Sequence, residues 1–107
     1  MSVTQLKDNP TLSEIQAYIA GRTKERGFDK ETTQDSFMLL VEEVGELAKA
    51  LRPLHGIKTA VDSTQSEVEH EAADVFWLLV CICNGLNIDL ETALRSKETK
   101  NLTRTWQ

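Results

Sequence analysis

No stretch of this chain has the roughly eighteen consecutive apolar residues that a membrane-spanning helix needs. The segment from Met1 to Pro10 is polar and lacks the apolar core of a signal peptide, so the cytoplasm is the expected location. Proline is scarce: only Pro10 and Pro53 interrupt the chain, and no Gly/Ser linker, repeat or low-complexity tract occurs. Nothing alternates with period two for long enough to build a sheet. The two cysteines, Cys81 and Cys83, would point about 160° apart on a helix, so they neither pair nor share a metal easily and are expected as buried, reduced thiols. Basic residues are outnumbered, 12 against 17 acidic, for a net charge of -5. That balance argues against nucleic acid and against an anionic membrane as partners. It leaves room for a small anionic substrate, because a bound cation reverses the local field.

What is present is helical punctuation in a chain of 107 residues, a length that suits one domain over 1–107. A first helix is expected from Leu12 to Arg26, opened by a Thr11/Glu14 capping box and stopped by Gly27. A second runs from Gln34 to Leu51, capped by Thr32 or Thr33 and ended before Pro53. Arg52 to Ser63, with Pro53 and Gly56, reads as a loop. A third helix spans Thr64 to Asn84, with Asp62 or Ser63 as cap and Gly85 as stop, and a fourth follows the cap Asp89 to about Arg104. The predicted fold class is an all-α four-helix bundle.

The informative residues are acids in apolar company. At about 100° per residue, Phe37, Leu40, Val41, Val44, Ala48 and Leu51 share the expected core face of the second helix. Met38, Glu42, Gly45, Lys49 and Arg52 form a wetter side, so Glu42 projects outward. Glu43 and Glu46 share a sector with Leu39, Leu47 and Ala50. On the third helix Glu67, Glu71, Asp74, Leu78 and Ile82 form one continuous stripe, carboxylates first and core afterwards. A solvated face would not be collinear with a core stripe. Sheltering several unpaired carboxylates costs several kcal/mol each, in order of magnitude, unless a cation, a proton or a metal compensates. An all-oxygen donor set suits hard cations, Mg²⁺ or Mn²⁺. Ions held by such acids bind phosphate oxygens and activate water, which is hydrolysis at phosphorus.

Lys97, Lys100, Asn101 and Arg104 share one face of the fourth helix. Cations in a last turn complement the helix dipole in any case; beside a metal cluster they also suit phosphates. Phe28, Trp77 and Trp106 are candidate stacking partners for a base, and Gly27, Phe28, Asp29 and Lys30 candidate parts of an entrance. Phe37 is expected in the core.

Together these residues resemble the MazG family of nucleoside triphosphate pyrophosphohydrolases. The family's EExxE stands here as Glu42-Glu43-Val44-Gly45-Glu46, and its ExxD as Glu71-Ala72-Ala73-Asp74. A KxxKN segment with a following arginine recurs at Lys97 to Asn101 and Arg104. The resemblance covers about residues 12 to 106. It implies catalytic roles for Glu42, Glu43, Glu46, Glu71 and Asp74, metal ligation by the last four, and phosphate contacts from Lys97, Lys100, Asn101 and Arg104. It also implies cleavage of a nucleoside triphosphate at the α-phosphorus to monophosphate and pyrophosphate, in nucleotide-pool house-cleaning, and aromatic residues near helix ends against the nucleotide. Glu67 is an extra acid, suited to orienting a water or supporting the ligands.

Helices two and three are apolar around most of their circumference, with Phe76, Trp77, Leu79 and Val80 outside the acidic stripe. A homo-oligomer, a dimer or a dimer of dimers, is therefore expected to complete the bundle. Three rival readings stand beside this one: a carboxylate-bridged di-iron bundle using Glu67 and His70, a non-catalytic helical module whose acids only pair with Lys or Arg, and an all-α dUTPase-like relative.

Overall fold

The computed structural model describes residues 5–54 and 65–104. They form four helices and no strand: α1 (Leu12–Glu25), α2 (Thr33–Leu54), α3 (Gln65–Gly85) and α4 (Leu90–Thr103). The expected caps at Asp62 or Ser63, the rest of the loop after Leu54, and Trp106 lie outside the described residues.

The helix ends follow local chemistry. The Thr11 hydroxyl accepts from the Glu14 amide at 3.1 Å and the Glu14 carboxylate accepts from the Thr11 amide at 2.8 Å, so both members of the capping box are in place. Thr32 and Asp35 repeat the reciprocal pattern at the start of α2, at 3.0 Å in each direction. Asp89 caps α4 by accepting from the Thr92 amide. At the end of α1 the Phe28 amide donates to Thr23 and the Gly27 amide to Lys24, with Gly27 at φ 79. That is a Schellman ending, which needs a left-handed residue and finds it in glycine. α3 ends the same way, but the left-handed residue is Asn87 at φ 56 rather than Gly85. Gly85 is the last helical residue; a Cβ there would meet the Thr33 hydroxyl at 3.3 Å, so its small size lets the start of α2 approach.

Two expectations about α2 are corrected. The helix continues through Pro53 to Leu54. Proline removes one hydrogen bond, that to Lys49, and so near the end of a helix little is lost. The core face is also different. α2 packs along α3 through Ser36, Leu40, Glu43, Leu47 and Ala50, spaced four, three, four and three. Ser36 and Ala50 are buried, whereas Phe37 and Val41 are each 54% exposed and Val44 49%. The more apolar stripe, Phe37 included, is thus left open in one chain, because the neighbour α3 sits against the adjacent sector. Val80, which lies outside the acidic stripe of α3, is fully buried.

α1 docks on α3, and α4 on α1. The small core is Ile19, Ala50, Val80 and Cys83. A polar lock supplements it. Gln16, itself buried, donates to the Asn84 side chain at 3.1 Å and to the Ile88 carbonyl at 2.8 Å, and accepts from the Leu90 amide at 2.8 Å. The Asn84 amide returns a bond to the Gln16 carbonyl. One side chain thereby joins three helices with its polar atoms satisfied, as burial requires. Cys81 and Cys83 are free thiols, and burial pushes both pKa values up. No single described helix is long and apolar enough to cross a membrane.

Candidate active site

The stripe that turns α2 towards α3 carries Glu43, and the facing side of α3 carries Glu71 and Asp74. One carboxylate oxygen from each of the three lies within 4.8 Å of the others. Glu43 and Glu71 are half-buried and Asp74 is exposed. Burial pushes the Glu43 pKa up, and a hydrogen bond with Glu71 and the charges of Asp74, Glu71 and Glu46 push it the same way. Glu71 Oε2 is buried with no hydrogen-bond partner. An orphaned acceptor beside two more carboxylates is an electrostatic deficit that a cation would cancel. The oxygen donors fit a hard divalent ion, with Glu43, Glu71 and Asp74 as the residues that would hold it.

The other predicted acids sit around this group. Glu42 and Glu46 are exposed, Glu42 on the outward side and Glu46 close enough to add to the field on Glu43. Glu67 and His70 are exposed and outside the three-carboxylate group, so the Glu-x-x-His element is not joined to it.

A cavity of about 590 Å³ opens beside the carboxylates, between the C-terminal half of α1, the N-terminal half of α2 and one face of α3. Glu43 and Asp74 form part of its wall, and Trp77 and Leu78 follow Asp74 on α3. Its size lies within the usual range for small-molecule sites. The Schellman ending of α1 throws Phe28, 54% exposed, onto the rim, and Asp29 lines the wall beside it. Two of the three predicted base-stacking residues, Phe28 and Trp77, therefore share this cavity with two of the predicted ligands; Trp106 lies outside the described residues.

The predicted basic face is placed elsewhere. Lys97, Lys100 and Arg104 are exposed on α4, Asn101 is half-buried with its Oδ1 unpartnered, and no residue of α4 lines the cavity. The cation that does line it is Arg26, whose guanidinium lies 5.1 Å from the Trp77 ring centroid. Sequence reasoning passed over Arg26. Its signal was position: the residue before a C-terminal glycine and two before an aromatic.

Comparison with known proteins agrees with this architecture. The profile of the MazG nucleotide pyrophosphohydrolase domain matches residues 31–106. The uncharacterised protein YpjD of Bacillus subtilis (strain 168) is 43% identical over 56 residues, which is 50% of this chain and 50% of that protein, so the chain matches about half the length of this curated relative. The crystal structure of a Bacillus-conserved MazG protein, a nucleotide pyrophosphohydrolase, superposes with TM-score 0.76 at 27% identity, over 92% of this chain and 97% of the other. The crystal structure of YpjD from Bacillus subtilis superposes with TM-score 0.72 at 29% identity, over 92% of this chain and 100% of that one. The four helices, the paired acidic motifs and the profile match together place the chain in the MazG nucleotide pyrophosphohydrolase family.

Proposed function

We propose that this chain, acting as one domain over 1–107, hydrolyses nucleoside or deoxynucleoside triphosphates at the α-phosphorus, giving the monophosphate and pyrophosphate, with Mg²⁺ as cofactor and Mn²⁺ able to replace it. Family membership supports pyrophosphohydrolase chemistry. The observation that carries the finer reading is the convergence of Glu43, Glu71 and Asp74 within 4.8 Å, in and beside a cavity that also presents Trp77 and Phe28. The ion supplies charge neutralisation at the phosphoryl group and activation of water. Glu43, Glu71 and Asp74 hold it, and Glu46, a neighbour in the same field, is assigned to the same ligand set. Glu42 faces outward on the same helix and serves as a supporting acid. Trp77 and Phe28 flank the base; Trp106, near the chain's end, is assigned to the same role. The biological role that fits is the clearing of unwanted nucleotides.

A second copy of the chain completes the bundle. Phe37, Val41 and Val44 form an apolar stripe along α2 that stays about half exposed among the described residues. Lys97, Lys100, Asn101 and Arg104 are assigned to the substrate's phosphates in that assembly.

The test is pyrophosphate release across canonical and modified nucleoside triphosphates with Mg²⁺, in the wild type, Glu43→Gln and Asp74→Asn. Turnover in the wild type and its loss in both variants, with helical circular dichroism unchanged, is the expected result. Undiminished turnover in either variant would remove the site assignment.

A further inference from the structure

The candidate cavity is lopsided in charge. Asp29, Glu31, Glu43 and Asp74 line it with carboxylates, and Arg26 is the one cation in its described lining. In such company a guanidinium would be expected to pair with an acid. Instead no described carboxylate forms an ion pair with Arg26, and the group lies over the Trp77 ring at 5.1 Å. A cation–π contact of this kind is weak at an exposed position, and Arg26 is exposed. Trp77 is three residues from Asp74 on α3, which puts the two on one side of that helix, and both line the cavity. Arg26 also closes α1 as its C-cap, where the partial negative charge of the helix end holds a cation nearby.

We infer that Arg26 is a substrate-binding residue that lies over Trp77 in this structure and leaves the ring on nucleotide binding to meet the phosphate chain, exposing the indole face to the base. The inference rests on the proposed nucleotide substrate. Two features of the cavity in one protomer support it. A polyphosphate entering a site walled by four acids needs side-chain cations beyond the metal, and α4 contributes none to this wall. A planar guanidinium also occupies ring surface that a planar base would use, and its weak hold makes it easy to displace. Arg26 therefore couples the two ends of the ligand: phosphates draw it away, and its departure opens the stacking face.

That coupling separates the responses of two probes. Calorimetry would measure binding, with Mg²⁺, of the α,β-imido analogues of the four common deoxynucleoside triphosphates and of the matching nucleosides, to the wild type, Arg26→Gln and Arg26→Lys. Arg26→Gln is expected to weaken the tightest-binding triphosphate roughly tenfold or more, the worth of a charge-assisted hydrogen bond, while the matching nucleoside binds equally or more tightly. Arg26→Lys, which keeps the charge, is expected to recover part of the triphosphate affinity. If Arg26→Gln weakens nucleoside and triphosphate alike, Arg26 only props the ring and the inference fails. If neither changes while the wild type binds, the inference fails alone and the proposed function stands. A wild type that binds none of the triphosphates overturns both.

Discussion

At the scale of single residues, the site is an arrangement of like charges held close together. Glu43 has its pKa raised by burial first, then by its hydrogen bond to Glu71 and by neighbouring charge. The folded, ion-free protein therefore binds that proton more tightly than the unfolded chain does. Its contribution to stability is present below the ordinary carboxyl range and is lost as pH rises through the raised value. In chelator, mild acidification should raise the melting temperature of the wild type, and Glu43→Gln should remove that part of the pH dependence. Saturating Mg²⁺ should raise the melting temperature of the wild type at neutral pH but not that of Asp74→Asn, since an ion that binds only the folded state stabilises by mass action. Thermal melts with and without the ion check both. Glu71→Gln offers a complementary reading: relieving the orphaned Oε2 should stabilise the ion-free protein while abolishing turnover.

At the scale of elements, the helix ends set the positions of these residues. Thr11→Ala removes one side of the capping box and should cost about 1 kcal/mol in chemical denaturation. The other side responds to pH in the opposite direction from Glu43. The Lys7 ammonium and the Thr11 amide and hydroxyl pull Glu14 down from 4.5 to about 2. Its support is present above the ordinary value and disappears as pH falls through about 2, so an acid titration of stability should be shallower in Glu14→Gln. Gln16→Leu strands the Leu90 amide, the Ile88 carbonyl and the Asn84 Oδ1, and should cost about 1–3 kcal/mol. Much of this scale was legible in the letters: Thr11, Thr32 and Asp89 announce helix starts by their chemistry, and Gly27 a stop. The facing of α2 was not. A helical wheel identifies Phe37, Val41 and Val44 as apolar, but it cannot say which neighbour covers an apolar stripe when two are available. The acidic sector was recognisable because Glu43, Glu71 and Asp74 interrupt otherwise apolar lines. Arg26 was not, because its place in the cavity depends on α1 crossing α3, which no local pattern encodes.

At the scale of the whole molecule, the single chain is short of core. Among the described residues Val80 is the one large side chain that is fully buried, while Phe37, Met38, Val41 and Val44 stay about half exposed or more. Solvated apolar stripes of this kind mark interfaces. Val41→Glu would place a charge in the middle of the stripe. Light scattering should then report a mass near that of one 12.0 kDa chain, against a multiple of it for the wild type; a monomeric wild type would refute the completed-bundle reading.

The lock centred on Gln16 has a further consequence. α4 has no buried residue of its own, and its described hydrogen bonds to other helices and their ends gather at its start, through Gln16 to Leu90 and Ser13 to Asp89. Losing that small set of bonds would loosen the start of α4 while the α2–α3 pair stayed closed. Amide protons of α4 should accordingly trade with deuterium through a sub-global opening that Gln16→Leu accelerates, whereas those near Val80 should wait for global unfolding. Lys97 and Lys100 would then ride on a helix that opens before the α2–α3 pair.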